Sequence, residues 1–320
     1  RHEFILSNKF KIMSNRRTFI KQSSALALGS LAVGQPFDLH YFDKKGFDLG
    51  VQLYTLMAVI DADTKGTLEK VAALGYKNIE SAFSRQGGFY GKTAKEFAAM
   101  LKEMGLTWRA HHVLGAPFKM PPGAKPPTDA QGNPIKIPAM KNLKDNMQEL
   151  VDDVAKGGIE YLVCANIPTS TPEEVAEAVT ILTKTGELCH KAGFQLVYHN
   201  HDWEFKTVGE STPYEVFLKE IPSDLMKMEL DLAWATKAGI DPVELFKKHP
   251  GRFPLWHVKD ISADFLTLKP VGEGVVDFKR IFKSSYVAGL KYPFVEHDQP
   301  ADALASLTAS KNWLKKNVLK

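Results

Sequence analysis

A single-domain α/β fold, a (β/α)8 barrel over residues 47–320, is the architecture that the sequence predicts. Eight short apolar runs recur along this region and alternate with stretches of helical periodicity. Several helical stretches end on a glycine just after their last apolar position, as helices commonly do. A region of about 270 residues is also the expected size for eight strand–helix units.

The eight predicted strands are short and largely apolar. They are FDLGVQLYTL (47–56), GYKNIESA (75–82), LTWRAHHV (106–113), IEYLVCANIP (159–168), FQLVYHNH (194–201), LMKMELDLAW (225–234), FPLWHVKDI (253–261) and YPFVEHDQ (292–299). A doubly wound open sheet would usually carry a glycine-rich phosphate-binding turn after its first strand. The segment LYTLMAVIDADTKG does not have that pattern, so the barrel is favoured.

The pattern of residues 1–34 is that of an export signal, so this segment is not expected to be part of the barrel. The segment SNRRTFIK holds the pair Arg16-Arg17, and the weakly apolar run QSSALALGSLAVG follows it. Paired arginines before such a run are typical of a twin-arginine signal, which predicts export to the periplasm. Met13 is then the expected start, and residues 35–46 are a linker. The alternative is an ordinary surface helix.

The positive charge of the chain is carried by its N-terminal segment. The full sequence has a formal charge of +4, but residues 1–34 contain six Lys/Arg and one Glu, so the remainder carries −1. A nearly neutral mature chain does not have the basic surface that nucleic acid binding needs. The apolar run of the signal is too short for an ordinary membrane-spanning helix, so no stable membrane anchoring is expected.

One predicted connection differs from the others in length and composition. Residues 114–140, between the third strand and the third helix, are rich in proline. In a barrel this connection lies at the C-terminal face, where active sites are built. Two interpretations stay open: a lid or substrate rim stiffened by proline, or a tolerated surface loop.

Polar residues appear at the C-terminal ends of four consecutive predicted strands, the end from which barrel enzymes draw catalytic groups. One histidine or acid alone is usually a hydrogen-bonded structural residue. Here, however, four adjacent strands each supply an imidazole or a carboxylate to the same rim. The strand-end residues are His199 and His201, Asp231, His257 with Lys259 and Asp260, and Glu296 with His297 and Asp298.

This rim of nitrogen and oxygen donors predicts one divalent metal ion. Mn²⁺, Zn²⁺, Co²⁺ or Fe²⁺ suits such a mixed set better than Ca²⁺ does. Mn²⁺ is the first expectation, because folding before twin-arginine export lets the protein load a weakly binding ion in the cytoplasm. Mg²⁺ also stays open.

Several motifs together resemble the sugar phosphate isomerase/epimerase family, the xylose isomerase-like TIM barrels. They are GVQLYTL, HNHDWEF, LDLAW, WHVKD, PVGEGVVDFKRIF and FVEHD. The resemblance covers residues 47–317, nearly the whole mature chain, and PVGEGVVDFKRIF contains its most distinctive part. It implies a barrel enzyme that acts on a small carbohydrate with one bound divalent ion.

The metal ligands implied by the resemblance match this chain only in part. The family binds its ion through Glu, Asp, His and Glu from strands five to eight. Asp231, His257 and Glu296 match the last three places. The first place, normally Glu, falls on His199, and Glu204 further along the same segment is the alternative. The expected ligands are therefore these three residues together with His199.

The resemblance implies an isomerase or epimerase that acts on a small keto or aldo sugar through an enediolate-type intermediate. In such enzymes two ligand glutamates on opposite faces remove and return a proton. Here Glu296 can serve as one base, but a metal-bound His199 cannot readily carry a proton on the same nitrogen. A 3-keto-glycoside lyase, whose β-elimination needs one base, is the alternative. A non-catalytic sugar-binding barrel is the third hypothesis.

Further side chains are expected to complete the site around the catalytic base Glu296. His201 is a candidate proton donor. Lys259 either stabilises developing negative charge or forms a salt bridge at the rim. Homo-oligomerisation stays open. Candidates for contacts with the sugar are His111, His112, Glu80, Gln52 or Tyr54, and Trp234, which stands where the family usually has a histidine.

Overall fold

The computed structural model of the protein describes residues 47–117 and 140–319. The predicted signal of residues 1–34, the linker 35–46 and most of the proline-rich connection 114–140 lie outside the described residues. Within the described part of the chain, no helix is both long and apolar enough to cross a bilayer.

Eight parallel strands close into a barrel, which confirms the predicted fold class. The strands in chain order are β1 (Gly50–Gln52), β2 (Asn78–Ser81), β3 (Thr107–Leu114), β4 (Tyr161–Asn166), β5 (Gln195–His199), β6 (Met226–Asp231), β7 (Leu255–Val258), β8 (Asp260–Ile261), β9 (Leu268–Lys269) and β10 (Tyr292–Val295). The barrel consists of β1 to β7 in sequence and is closed by β10, which pairs with both β7 and β1. The short strands β8 and β9 form a separate antiparallel pair.

Helices alternate with the barrel strands, as the sequence periodicity predicts. Their ranges are Thr64–Ala73, Ala94–Glu103, Leu143–Gly157, Pro172–Ala192, Pro213–Glu220, Leu232–Lys237, Pro242–Lys248, Phe278–Phe282, Ser285–Ala288 and Ala303–Asn317, with 3-10 turns at Leu53–Leu56 and Trp203–Phe205. Gly158 and Gly193 end two of the long helices with φ of 69° and 88°. This left-handed conformation is the one that glycine adopts at helix C-termini.

The inside of the barrel is filled in layers, with a polar layer following an apolar one along the strands. A buried apolar cluster, separate from the large core, consists of Ala110, Val163, Val197, Leu255 and Phe294. Because strand side chains alternate faces, the residue two positions later on each strand also points inward. The residues at that position are His112 on β3, His199 on β5, His257 on β7 and Glu296 directly after β10. The polar layer therefore lies at the carboxyl end of the barrel.

The buried carboxylate of Asp260 organises the loop that follows the β8–β9 pair. It accepts hydrogen bonds of 2.8 to 3.1 Å from the backbone N–H groups of Ile261, Gly272, Gly274 and Val276. Gly272 has a φ of 93°, and a Cβ on Gly274 would lie 2.2 Å from Asp260 Oδ1. Glycine is needed at both positions for these reasons. One carboxylate thus fixes the VGEGVV segment by charge-assisted hydrogen bonds.

Asp260→Asn is expected to lower the free energy of unfolding by about 2–3 kcal/mol, because the amide turns an N–H donor toward backbone donors. Thermal unfolding followed by circular dichroism should show a midpoint lower by roughly 5–10 °C. Asp264→Asn is the matched control, since this carboxylate is exposed at the tip of the β8–β9 hairpin. An unchanged midpoint for Asp260→Asn would contradict the role given to this carboxylate.

Candidate metal centre and active site

Three imidazoles and one carboxylate converge inside the mouth of the barrel. One ligand atom from each of His112, His199, Glu229 and His257 lies within 4.8 Å of the others. Glu229 Oε2 is 3.0 Å from His112 Nε2, 3.4 Å from His199 Nδ1 and 3.1 Å from His257 Nε2. Such a nitrogen and oxygen set suits a divalent transition metal. These four residues are called the histidine cluster below.

A second group of ionisable side chains adjoins the first at His257. His257 Nδ1 is 2.6 Å from Glu296 Oε2 and 3.8 Å from Asp231 Oδ2, and the three residues are arranged so that they could hold a metal ion. The Lys259 ammonium already lies 3.0 Å from Asp231 Oδ2 and 2.7 Å from Glu296 Oε2. It also donates a hydrogen bond to Asp298. Asp231, Glu296, Asp298 and Lys259 are called the lysine cluster below.

His257 and Lys259 compensate the buried negative charge of the two clusters. Burial opposes a charge on His257, but Glu229 and Glu296 raise its pKa well above the usual value. Burial likewise opposes a charge on Lys259, but Asp231, Asp298 and Glu296 together outweigh it and raise the pKa of this ammonium. The pKa values of the Glu229 and Glu296 carboxyls stay well below their usual range despite burial, chiefly because of His257. The carboxylates are therefore ionised.

The other two imidazoles of the histidine cluster differ in their affinity for protons. Burial opposes a charge on His112, but the carboxylates of Glu80 and Glu229 outweigh it and raise its pKa to about 9. Burial and the nearby His257 lower the pKa of His199 to about 3. His199 is therefore neutral and offers a lone pair, whereas His112 must lose a proton before it can bind a metal ion.

Glu80 and Gln52, both predicted to contact a sugar, are fully buried. Glu80 Oε2 shares a hydrogen bond of 2.7 Å with His257 Nε2, and Glu80 Oε1 is 3.3 Å from His112 Nε2. The Gln52 side chain accepts a hydrogen bond from the backbone N–H of Tyr54. Glu80 thus orients two imidazoles of the histidine cluster, and its contact with a sugar stays a prediction.

The second histidine of the HNH motif is positioned by Glu204. The backbone N–H of His201 donates to Glu204 Oε2 at 2.8 Å, and the Tyr198 hydroxyl donates to Glu204 Oε1 at 2.9 Å. The His201 ring stacks on Trp203 with 4.0 Å between ring centroids. The buried Glu204 carboxylate is thus already engaged, an arrangement that does not favour it as the first metal ligand.

Trp234 contacts the lysine cluster. Its ring centroid lies 5.3 Å from Lys259 Nζ, a cation–π distance. Its backbone N–H donates to Asp231 Oδ1 at 2.9 Å, so that Asp231 caps the helix that begins at Leu232. The tryptophan therefore helps to hold Lys259 among its acids, and a contact with a sugar ring stays a prediction.

A cavity of about 490 Å³ opens at the carboxyl end of the barrel, a volume that suits a small organic ligand. Phe83, Phe89 and Met57 give it an apolar part. Among the described residues that line it, those with predicted roles are Tyr54, His111, His112, His199, His201 and Glu296. The predicted residues Gln52, Glu80, Asp231, Trp234, His257 and Lys259 do not belong to this described lining.

His111 differs from its neighbour His112 although both touch the cavity. His111 Nδ1 lies 2.8 Å from Ser81 Oγ, and burial together with the charge on His112 lowers its pKa to about 3. The ring also packs edge-to-face against Phe89, with 4.8 Å between ring centroids. His111 is therefore a neutral wall residue that can offer a hydrogen bond to a bound molecule.

Glu229 belongs to the site although no sequence motif singles it out. In the segment MELD of β6, Asp231 matches the family motif and Glu229 does not. Residues two apart on a strand share a face, so Glu229 points into the barrel with Asp231. The strand register then sets Glu229 beside His199 and Asp231 beside His257. The alternation of side chains along β6 can be predicted from the sequence, but the register between neighbouring strands cannot.

Comparison with known proteins gives a family match over most of the chain. The sequence model of the family described as "Xylose isomerase-like TIM barrel" matches residues 68–284. The chain is 25% identical over 170 residues to an inosose dehydratase of Geobacillus thermodenitrificans, a match that covers 47% of this chain and 56% of that protein. The chain thus spans little more than half the length of this relative.

Solved structures give a longer match. A sugar phosphate isomerase/epimerase of Parabacteroides distasonis superposes with a TM-score of 0.71 at 26% identity, covering 86% of this chain and 100% of that chain. An L-ribulose 3-epimerase superposes with a TM-score of 0.63 at 13% identity, covering 85% of this chain and 94% of that chain. The second likeness shows the fold alone.

Lys259→Met is expected to lower the free energy of unfolding by about 3–5 kcal/mol, because it leaves buried carboxylates without their cation. Chemical denaturation in urea measures this change. Lys237→Met is the matched control: Lys237 Nζ lies 3.6 Å from Asp202 at a partly exposed site, where loss of an ion pair costs about 1 kcal/mol or less. Equal losses for the two variants would contradict the neutralising role of Lys259.

Proposed function

Because this chain belongs to the xylose isomerase-like TIM barrel family, we propose that it is a metal-dependent enzyme that acts on a small carbohydrate. The proposed reaction begins with removal of a proton from the carbon beside a carbonyl group. Elimination of an oxygen substituent from the next carbon follows, which makes the enzyme a carbon–oxygen lyase. The observation that carries this proposal is the division of the cavity wall into a carboxylate side and an imidazole side.

The division of the wall follows from the order of the strands. Glu296 and Asp298 come directly after β10, and β4 is the strand opposite β10 in the ring of eight. His112 on β3 and His199 on β5 flank that opposite strand, and His201 follows β5. A reversible swap of a proton between two faces needs a base on each side, whereas an elimination needs a base facing an acid. The arrangement supports elimination.

Another carboxylate of the described cavity wall, Asp153, is already paired. It accepts hydrogen bonds from Lys141 at 2.9 Å and Lys156 at 3.2 Å. These ion pairs make it a poor candidate for the base on the imidazole side.

Glu296 is the proposed base. Its carboxyl pKa lies well below the usual range, because His257 and Lys259 outweigh the effect of burial, so the group is ionised at neutral pH. It lines the cavity and can therefore accept the proton of the substrate C–H bond. The electrons of that bond form the new carbon–carbon double bond, and the bond to the leaving oxygen breaks. Lys259, 2.7 Å from Glu296 Oε2, holds this carboxylate in position.

His201 is the proposed donor of a proton to the leaving oxygen. It lines the cavity on the imidazole side, and its backbone is anchored by Glu204. Stacking on Trp203 fixes the ring plane, so that little ordering is needed when a substrate binds. An acid facing a base across the cavity gives the leaving hydroxyl the proton that it needs.

The residues around His257 fit a divalent ion. Glu229 Oε1 and His199 Nδ1 are buried atoms that make no hydrogen bond with the described residues, and each can be a ligand. Such an ion, when bound, polarises a substrate carbonyl and acidifies the neighbouring C–H bond. The histidine cluster and the acids of the lysine cluster are the candidate ligand groups.

The isomerase or epimerase function is the second candidate. It shares the first proton removal with the lyase but returns the proton to carbon. The observation that favours it is the full-length likeness to the Parabacteroides distasonis protein, which is described as a sugar phosphate isomerase/epimerase. The match to an inosose dehydratase, which removes water, favours the lyase.

We also propose that the enzyme works in the periplasm. The support is the twin-arginine pattern of residues 1–34, where Arg16 and Arg17 precede a weakly apolar run. Fractionation of cells that express the chain, with and without Arg16→Lys and Arg17→Lys, tests the location. Retention of the double variant in the cytoplasm is the expected result, and unchanged export would contradict the proposal.

Glu296→Gln is expected to lower kcat by roughly 10²–10⁴-fold, because the amide cannot accept the proton. The assay uses inosose and a 3-keto-glucoside as probes in D₂O, followed by mass spectrometry. Loss of one water from inosose, or release of the aglycone alcohol from the 3-keto-glucoside, identifies the lyase, and an isomer that has gained one deuterium identifies the epimerase. Glu160→Gln is the control, since Glu160 precedes β4 at the other end of the barrel. Unchanged turnover in Glu296→Gln would remove Glu296 as the base.

A further inference from the structure

We propose that the metal ion is bound by the histidine cluster, His112, His199, Glu229 and His257, and that Lys259 takes the cation position among Asp231, Glu296 and Asp298. This inference rests on the proposed function, in which the enzyme uses one divalent ion. The family resemblance implies that Asp231 and Glu296 are metal ligands. Here they would instead lie near the ion without binding it.

The spacing of the donor atoms supports the histidine cluster. Glu229 Oε2 lies 3.0, 3.1 and 3.4 Å from one nitrogen each of His112, His257 and His199. Neighbouring ligands of an ion bound at roughly 2.0–2.2 Å are about 3.0–3.5 Å apart. The spacing in the other group is less even, with His257 Nδ1 at 2.6 Å from Glu296 and 3.8 Å from Asp231.

The distribution of cations supports the same assignment. Glu80 and Glu229 are fully buried, and their ion-pair partners among the described residues are imidazoles alone. Asp231 and Glu296, by contrast, already share the ammonium of Lys259. A second cation beside Lys259 would meet charge repulsion in a site of low dielectric constant. A cation among the imidazoles would neutralise two carboxylates that have no Lys or Arg partner in the described part of the chain.

One imidazole of the histidine cluster, His257, has the carboxylate neighbour that metal-bound imidazoles usually have. A metal-bound imidazole usually directs its other nitrogen at a carboxylate, which fixes the ring. With His257 Nε2 bound to the ion in place of its hydrogen bond with Glu80, its Nδ1 faces Glu296 Oε2 at 2.6 Å. His112 and His199 also line the cavity, so an ion between them is reachable by a substrate oxygen. Glu296 then stands beside the ion, free to act as a base.

The donor set changes the expected identity of the metal. Three imidazoles and one carboxylate favour Zn²⁺, Co²⁺ or Fe²⁺, whereas oxygen-rich sets favour Mn²⁺ and Mg²⁺. We therefore expect the ion to differ from the Mn²⁺ that the export route suggested.

Metal content of the full chain, purified without chelators and then saturated with Zn²⁺, tests the assignment. Glu229→Gln and His112→Gln are expected to weaken Zn²⁺ binding more than about 100-fold and to leave the protein nearly metal-free. Glu296→Gln and Asp231→Asn are expected to keep about one equivalent, with losses of affinity of at most about 100-fold. Melting curves confirm that each variant folds. Titration of metal-free protein with Co²⁺ gives a second readout, since bound Co²⁺ absorbs visible light and the band should vanish in His112→Gln.

The outcomes separate this inference from the proposed function. If Glu296→Gln and Asp231→Asn lose the ion while Glu229→Gln and His112→Gln retain it, the ion lies in the other group. The inference is then wrong, and metal-dependent turnover would still support the proposed function. If the wild type binds no ion and its turnover survives chelation, both fail. If only Glu229→Gln and His112→Gln lose the metal ion, the inference is supported for any substrate.

Discussion

The burial of negative charge at the carboxyl end of the barrel is the constraint on which the rest of the site depends. Glu80, Glu229 and Asp231 are fully buried, and Glu296 is 4% exposed. Carboxylates in such surroundings persist as anions only when cations or strong hydrogen bonds compensate them. The barrel supplies this compensation from neighbouring strands, with imidazoles on one side and Lys259 on the other. A metal ion is the further source of positive charge that we propose.

The same constraint links stability to chemistry. Groups that must be ionised to balance one another are also held in fixed positions, because a displaced charge would be left unpaired in a low dielectric. The pKa of His199 is lowered and that of Glu296 stays below its usual range despite burial, so His199 is neutral and Glu296 ionised over a wider range of pH than the free side chains would be. In the function that we propose, a base, a proton donor and a metal ion can then act on one small molecule without reorganising the site.

Much of the fold and part of the site could be predicted from the sequence. Each strand shows as an apolar run, and the change from apolar to polar residues, as in Leu255 and His257, marks its carboxyl end. What the sequence leaves open is register and side-chain direction. These place Glu229 among three imidazoles and set the buried Glu80 beside two of them, although neither acid belongs to the family motifs. The predicted export signal and most of the proline-rich connection lie outside the described residues, so they stay predictions.

The most direct test of this account is the position of the ion in a crystal of the metal-loaded protein, found by anomalous diffraction at the metal edge. We expect one peak within about 2.0–2.3 Å of His112 Nε2 and His257 Nε2, with Lys259 still among its acids. A peak bound to Asp231 and Glu296 through His257 Nδ1, with Lys259 displaced, would contradict it.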